Sequence, residues 1–230
     1  MKQKMLDGLK GFMRELVFGM EDGLVSNLGI VLAVWVATGN ASVVLLSGLA
    51  SMFAGALSMS AGSYLSSKSV SEVYDAEVVR AKELVAKNPQ KASKEMKAML
   101  KKEQFDTDEI STMMRHFLHH NKETFAINYI QKKLHISSKG NSHPMHDAAV
   151  MFFAFAFGSL FPIVPFFFGE SVNIMLISIG MTFAVLFAVG MGKSTVTHRN
   201  CIDSGIEIVL VGVGAGALGY LVGLIFGVVV

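Results

Sequence analysis

Long apolar stretches alternate with polar ones along this chain, and five of the apolar stretches are long enough to cross a bilayer as helices. A hydrocarbon core of about 30 Å requires about 20 predominantly apolar residues in helical form. The five stretches cover residues 15–38, 42–66, 147–169, 171–193 and 204–229. This pattern predicts an all-α membrane protein with five transmembrane helices.

The polar part of the chain is concentrated between the second and third spans. Residues 67–146 hold 14 of the 20 lysines and arginines, and they predict a helical insertion. We expect the second span to continue as one helix to Lys87, where the Asn88-Pro89 pair ends it. Three more helices are expected at about residues 92–104, from Asp106 or Thr107 onward, and at about residues 122–135.

The distribution of basic residues predicts the orientation of the spans. Four basic residues precede or open the first span, 14 lie in the insertion, and Lys193 and Arg199 lie between the last two spans. All of them share one side if the N-terminus and the insertion are cytosolic and the C-terminus is on the opposite side. The expected organisation is residues 1–66 with two spans, a cytosolic insertion at 67–146, and three spans in 147–230. Either a plasma or inner membrane or a vacuole-like organelle fits this pattern.

Composition supports a membrane protein and excludes several other classes. The chain is 52% hydrophobic and 17% charged, with a mean hydropathy of +0.49, whereas soluble domains carry about 25% charged residues. The single cysteine, Cys201, excludes an internal disulfide framework and a multi-cysteine zinc site. Since no phosphate-binding loop, nucleotide fingerprint or nucleophile triad is visible, we expect neither an enzyme, nor a prosthetic group, nor nucleic-acid binding.

Asp22 is an ionisable residue within the first span. A carboxylate at membrane depth is costly and usually marks an ion or proton path, and it suits divalent metals as a hard oxygen ligand. The alternative is a residue near the cytosolic end of the helix, hydrated or paired with Lys10 or Arg14. Two carboxylates are possible auxiliaries: Glu21, beside Asp22, and Glu207 at the start of the fifth span, which is either a proton relay or a residue paired at the membrane surface.

Small residues and prolines mark the packing of the spans. Glycines at spacings of four in span five and seven in span two allow close helix approach, either within one protomer or at a dimer seam. These are Gly219, Gly223 and Gly227, and Gly48, Gly55 and Gly62. Pro162 and Pro165 in span three predict a kink or a break.

Methionine and histidine supply candidate metal ligands. Met59 lies seven residues after Met52 and therefore on the same helix face; its thioether favours transition metals, although methionine in an apolar helix is usually a packing residue. In the insertion, spacings of four, three and four would present a carboxylate, a thioether and two imidazoles on one helix face. These residues are Glu109, Met113, His116 and His120. The alternative for that face is a solvated polar surface.

Four sequence blocks together carry a family resemblance. They are residues 19–24 (GMEDGL), 54–65 (AGALSMSAGSYL), 155–166 (FAFGSLFPIVPF) and 212–223 (GVGAGALGYLVG). In this order they resemble the vacuolar iron transporter family, whose members move ferrous iron and manganese out of the cytosol in exchange for protons. The resemblance implies five spans, a homodimer with the ion path at its two-fold interface, and a cytosolic insertion that collects metal.

The same resemblance implies roles for individual residues. It makes Asp22 and Met59 metal ligands in the path and places Glu15 at its cytosolic mouth. Family members usually carry a glutamate at the position of Ser51, and many bacterial relatives carry one at the position of Ser63. The path therefore lacks a carboxylate that the resemblance leads us to expect.

The insertion also departs from the family pattern. Its last helix should end in an acidic stretch that contains methionine, but residues 129–134 read YIQKKL, and the two lysines would repel a divalent cation. Glu77, Glu83 and Glu95 remain as metal candidates in the first two helices of the insertion.

These observations predict a dimeric, proton-coupled exporter of divalent transition metal from the cytosol. The cargo is ferrous iron or manganese, with zinc as a further candidate, and the partners are protons, membrane lipid and a second copy of the chain. The alternative is a metal-binding or sensory membrane protein of the same fold without net transport. Whether Ser51 abolishes transport or retunes it is open at this stage, as are the metal and the proton stoichiometry.

Overall fold

In the computed structural model, the described residues form helices joined by short connections, and none of them forms a strand. Backbone is described for residues 2–120, 122–134, 143–197 and 200–227, and side chains within 11–117, 125–133, 143–194 and 200–227. The helices are α1 Lys2–Thr38, α2 Ala41–Lys87, α3 Pro89–Lys102, α4 Thr107–His120, α5 Lys122–Leu134, α6 Pro144–Ile163, α7 Val172–Thr197 and α8 Cys201–Gly227, with a 3₁₀ turn at Val164–Phe167. The predicted all-α class is confirmed.

Five of these helical segments are long and apolar enough to cross a membrane. They are Gly11–Thr38, Ala41–Lys87, Pro144–Phe167, Val172–Ser194 and Cys201–Gly227. Large apolar side chains on them face outward; Leu46 is 72% exposed and Phe153 is 69% exposed. Such apolar surface fits contact with lipid better than contact with water. The predicted five spans are confirmed, and the chain is an integral membrane protein.

The chain divides into two compact units. The membrane unit comprises Met1–Ser66 and His143–Val230, and the polar unit comprises Ser67–Ser142. Helix α2 contributes to both, because it continues without a break to Lys87 as predicted. It ends there because Pro89 opens α3 and the Asn88 side chain accepts a hydrogen bond from the Lys91 N–H at 3.1 Å.

In the membrane unit, α1 packs against α6, α7 and α8. A Cβ added to Gly158 of α6 would lie 2.5 Å from the Met20 carbonyl oxygen, and one added to Gly223 of α8 would lie 2.6 Å from the Ala33 carbonyl oxygen. The backbones therefore approach more closely than any side chain would allow. The glycine stripe of span five packs within one protomer, which is one of the two packing arrangements left open by its spacing.

Helix α6 ends at the two prolines, as their spacing predicts. Pro162 is the penultimate residue of α6, and the 3₁₀ turn that contains Pro165 follows directly. Because Pro165 has no N–H, the Pro162 carbonyl oxygen lacks the donor that a 3₁₀ turn would supply. The buried Ser178 hydroxyl of α7 donates to this oxygen instead, at 2.7 Å.

The polar unit has a small hydrophobic core of its own. Its most completely buried large side chains come from α3 and α5 and include Met96, Leu100, Phe125 and Tyr129. Side chains from α2 and α4, such as Val85 and Met114, complete this cluster. The apolar faces of four short or partial helices are thereby removed from water.

Candidate functional site

Glu15 is a buried carboxylate on α1, only 6% exposed. Its Oε1 accepts hydrogen bonds from Arg14, at 2.7 Å from Nη2 and 3.1 Å from Nε, and its Oε2 accepts one from the Ser63 hydroxyl of α2 at 2.9 Å. A buried charge requires such partners to offset its lost hydration. Glu15 therefore joins α1 to α2 near the N-terminal end of the first membrane-length segment, Gly11–Thr38.

Asp22 lies on the same face of α1 as Glu15. Seven residues separate them, which is about two turns or roughly 10 Å along the axis. Asp22 is partly buried, and no described residue gives its carboxylate a hydrogen bond or an ion pair. Arg14, which the sequence allows as a partner for Asp22, pairs with Glu15 instead. Ser26, one turn further on, donates its hydroxyl to the Asp22 backbone carbonyl, so the carboxylate keeps its ligand capacity.

Met59 lies on the α2 face that carries Ser63, one turn away, and is partly buried. Since α2 runs antiparallel to α1 and Ser63 meets Glu15, the rise per residue puts Met59 at a depth between Glu15 and Asp22. Ser51 lies about 18 Å further along α2 than Ser63 and is rotated by roughly 120°. The fold thus brings Glu15, Ser63 and Met59 to one region and leaves Ser51 away from it.

Glu21 belongs to a different group of charges. It lies within electrostatic range of Lys193 of α7 and Glu207 of α8, as well as of neighbouring Asp22. The side chains of Glu21 and Asp22 point about 100° apart around α1. The two auxiliary carboxylates predicted from the sequence are therefore close to each other, on a face next to that of Asp22.

Asn27 is a buried polar residue that the sequence analysis missed. It is 0% exposed, and its Nδ2 donates to the Ser159 hydroxyl of α6 at 2.8 Å. Its Oδ1 is buried and has no hydrogen-bond donor among the described residues. Leaving such an acceptor unpaired costs about 1–3 kcal/mol. An asparagine within an apolar span was the available sequence signal, since amides in spans usually bridge helices.

The carboxylates of the polar unit that the sequence offers as metal ligands already have partners in the protein. Glu77 pairs with Arg80 at 2.5 Å and Glu83 with Lys87 at 3.0 Å. Glu95 accepts a hydrogen bond from the hydroxyl of Tyr129. Burial raises the pKa of Tyr129, and the bond to Glu95 raises this pKa further. Binding a metal at these carboxylates would require these contacts to break.

Two of the four α4 residues that the sequence offers as metal ligands, Glu109 and Met113, make contacts within the protein. Asp106 Oδ1 accepts from the Glu109 N–H at 2.8 Å while Glu109 Oε2 accepts from the Asp106 N–H at 2.9 Å, which is a capping box. Met113 packs against the core of the polar unit, His116 is exposed, and the side chain of His120 lies outside the described residues. Within the part of the chain that the structure describes, no group of three or more histidine, cysteine, aspartate or glutamate side chains is placed to hold a metal.

Comparison with known proteins decides the family. The model of the VIT family matches residues 13–224, a range that covers the polar unit, three of the membrane-length segments completely, and most of the first and the last. The chain belongs to the VIT family. The match covers Glu15, Asp22 and Met59, so the α1–α2 region described above lies within the shared part of this VIT-family chain.

Named relatives of this VIT-family chain cover most of its length. Vacuolar iron transporter 1 of Oryza sativa subsp. japonica is 26% identical over 90% of this chain and 82% of its own, and that of Arabidopsis thaliana is 24% identical over 90% and 83%. Protein CCC1 of Saccharomyces cerevisiae is 28% identical over 92% of this chain and 68% of its own. The similarity is therefore distant in identity but extends over nearly the whole chain.

Proposed function

We propose that this VIT-family chain exports a divalent transition metal, ferrous iron or manganese, from the cytosol in exchange for protons. The names of its relatives support iron as cargo. The observation that carries the proposal is the shared α1 face of Glu15 and Asp22: one carboxylate is buried and hydrogen-bonded at both oxygens, and the other has no hydrogen-bond or ion-pair partner among the residues whose side chains are described. An intramembrane carboxylate without a partner is the expected form of an ion-binding group.

The chemistry of the proposed path suits a first-row divalent metal. Asp22 supplies a hard, charged oxygen and Met59 a soft thioether, a combination that favours iron or manganese over magnesium and calcium. Glu15 would receive the metal first. Its ion-pair partner Arg14 has a side chain that is 72% exposed, so the guanidinium can move into solvent when a dication replaces it.

Proton exchange follows from competition for the same carboxylates. Metal ligands must be deprotonated, so a metal that binds Asp22 releases any proton there, and protonation of Asp22 releases the metal. A higher proton concentration on the opposite side of the membrane would thus favour metal release to that side. Under this proposal one carboxylate serves both ions in turn.

A homodimer would complete the path. A divalent metal takes four or more ligands, and on this face a single chain contributes Asp22 and Met59, with Glu15 about two turns away. Asp22 and Ser26 are only partly buried in the single chain. A second copy related by a two-fold axis would double the ligand set and shield the ion from lipid.

Reconstitution into liposomes tests this function. The expected result is uptake of Fe²⁺ or Mn²⁺ that depends on an acidic lumen and that releases protons to the outside, read by a metal-quenched dye and a pH dye. Empty liposomes and a collapsed pH gradient are the controls. Metal uptake that ignores the pH gradient would contradict proton exchange, and no uptake at all would contradict transport.

A second candidate function is metal binding or sensing without net transport. It is favoured by the serines at positions 51 and 63, where the family resemblance leads us to expect glutamates, because each substitution removes a charged ligand. Calorimetry on the full-length chain in detergent distinguishes the two candidates. Metal binding with no flux in the same preparation would favour the sensor, and binding with flux would favour the exporter.

A further inference from the structure

Three helices of the membrane unit bury polar side chains completely. Asn27 of α1, Ser159 of α6, and Ser178 and Thr182 of α7 are all 0% exposed. Each of the three hydroxyl groups donates to a backbone carbonyl: that of Phe155 at 2.8 Å for Ser159, that of Pro162 at 2.7 Å for Ser178, and that of Ser178 at 2.7 Å for Thr182. Asn27 differs from them, because its Oδ1 has no donor among the described residues.

Asn27 has an unpaired polar atom in either orientation of its side-chain amide. Ser159 has a single hydroxyl proton, which it gives to the Phe155 carbonyl, so Asn27 must present its NH₂ group to the Ser159 oxygen. Rotating the amide by 180° would put Oδ1 next to Ser159 only if that proton left Phe155, and it would then leave the NH₂ group unpaired. Either orientation leaves Asn27 with a buried polar atom that needs a small partner.

The surroundings of Asn27 suit a water molecule. Asn27 faces α6, about 140° around α1 from Asp22, so it lies off the proposed metal face. Its hydrogen-bond partner is the neutral Ser159 Oγ, and that hydroxyl in turn lies 2.8 Å from the Phe155 carbonyl oxygen and 3.4 Å from the Gly23 carbonyl oxygen. No carboxylate is among these groups to balance a dication. Neutral donors and acceptors of this kind bind water instead.

We propose that Asn27 Oδ1 holds a water molecule inside the protomer and positions it for the proton that moves against the metal. This inference rests on the proposed proton exchange. The held water accepts a proton from a water on one side and passes one of its three protons to a water on the other side. Asn27 and Ser159 keep their own protons, so Asn27 is a positioning residue for the proton that Asp22 takes up and releases.

A structure of the wild-type protein in lipid nanodiscs, at a resolution that shows ordered water, is the direct test. The expected result is a water oxygen about 2.7–3.2 Å from Asn27 Oδ1. A protein donor at that distance, or an Oδ1 with no water beside it, would overturn the proposal. This test involves no substitution and therefore does not depend on whether a variant folds.

Two fluxes measured on one variant test the role in proton movement. Asn27→Leu replaces the amide by an apolar group of similar size. We expect it to lower proton-driven net Mn²⁺ uptake by about tenfold or more while exchange of radioactive Mn²⁺ against Mn²⁺, which moves no proton, stays within about twofold of wild type. The control is Thr182→Val, which removes another fully buried polar group, and both of its fluxes should remain.

The comparison of the two fluxes also separates the possible failures. If both fluxes of Asn27→Leu stay at the wild-type level, or both fall in parallel, Asn27 is a packing residue and the inference is wrong. If wild type itself shows no proton-driven uptake, it is the proposed function that fails. A wild type that exchanges metal for protons, together with a selective loss in Asn27→Leu, supports both.

Discussion

Two carboxylates on one helix face, Glu15 and Asp22, have different environments and therefore different expected roles. Glu15 is fixed by Arg14 and Ser63, so its charge is compensated before any metal arrives. Asp22 has no such partner among the described residues. The residue with the weaker protein contacts is the one that can bind cargo strongly, because it has the fewest interactions to give up.

Removing the Asp22 carboxylate should abolish transport. Asp22→Asn keeps the size of the side chain but removes the charge, and a lost charge-assisted contact is worth about 1.5–3 kcal/mol, or roughly 10- to 100-fold in metal affinity. Mn²⁺ uptake into proteoliposomes over a range of concentrations measures this. Asp203→Asn, at an exposed carboxylate in the first turn of α8, is the control and should retain uptake. Equal uptake by the two variants would exclude Asp22 as a ligand.

Ser63 should control both the order of Glu15 and the strength of metal binding. Ser63→Ala removes the donor to Glu15 Oε2 and should destabilise the protein by about 1.5–3 kcal/mol.

Ser63→Glu puts a second carboxylate beside Glu15. In the absence of metal, repulsion between the two carboxylates should lower the stability of the protein, and in its presence the added ligand should tighten Mn²⁺ binding by roughly tenfold. Thermal unfolding with and without Mn²⁺ measures both effects, with Ser60→Ala as control. If Mn²⁺ stabilises Ser63→Glu no more than wild type, Ser63 does not mark a missing ligand.

At the scale of elements, α1 is held between α6 and α8 by backbone contacts that need glycine. The spacing of glycines in span five predicts close packing but allows either a partner within the chain or a second copy. Contacts of Gly219 with Gly29 and of Gly223 with Ala33 assign this face to α1. Helix α1 therefore carries the proposed ligands on a segment that is tightly packed on its other sides.

Gly223→Ala should loosen this packing. The added Cβ would lie 2.6 Å from the Ala33 carbonyl oxygen, which forces the helices apart at a cost of about 1–3 kcal/mol. For a chain of this size that is a loss of about 2–4 °C in Tm per kcal/mol. Gly214→Ala, which has nothing within 4 Å of its Cβ, is the matched control on the same helix. Equal Tm values for the two variants would contradict the close α1–α8 contact.

The contact between α5 and α3 through Tyr129 and Glu95 should make the polar unit sensitive to alkali. The folded-state pKa of Tyr129 is raised above its ordinary value of about 10. Above pH 10 the unfolded chain therefore loses the Tyr129 proton while the folded chain keeps it, and stability falls as pH rises. Below pH 10 this contribution is constant.

Tyr129→Phe isolates that effect. We expect the variant to be less stable at neutral pH, because the hydrogen bond to Glu95 is lost, and to lose less additional stability than wild type between pH 9 and pH 11. Hydrogen exchange of residues 67–142 in the full-length chain measures this. Parallel pH profiles would show that Tyr129 does not titrate with folding.

At the scale of the whole molecule, the membrane unit and the polar unit differ in how their charges are balanced. In the membrane unit, Asp22 has no partner within the described part of the chain, whereas the polar unit pairs Glu77 and Glu83 with its own cations and Glu95 with a tyrosine. In this VIT-family chain, we expect metal to bind in the membrane unit as cargo, and we expect the polar unit to fold without metal.

Metal removal should therefore leave the polar unit intact. Its core consists of apolar side chains, and a structure held by hydrophobic burial does not need a metal to fold. We expect hydrogen exchange of residues 67–142 in the full-length protein to be the same with EDTA as with Mn²⁺, to within about twofold in rate. Protection that rises strongly with Mn²⁺ would instead support the expectation that this unit collects metal.

The number and order of the spans, the continuous α2 and the break at the prolines could all be predicted from the sequence. Each of these depends on local properties: apolar length, helix propensity, and the missing N–H of proline. The sequence also pointed to Asp22, because a charge in an apolar stretch is conspicuous without any knowledge of packing. Which groups meet depends on the tertiary structure. It pairs Arg14 with Glu15 rather than with Asp22, packs the glycine stripe inside the protomer, and leaves the Asn27 Oδ1 without a donor among the described residues. The last two of these outcomes depend on contacts between residues that are far apart in the sequence, such as Gly29 with Gly219 and Asn27 with Ser159. Local sequence patterns carry no information about such contacts.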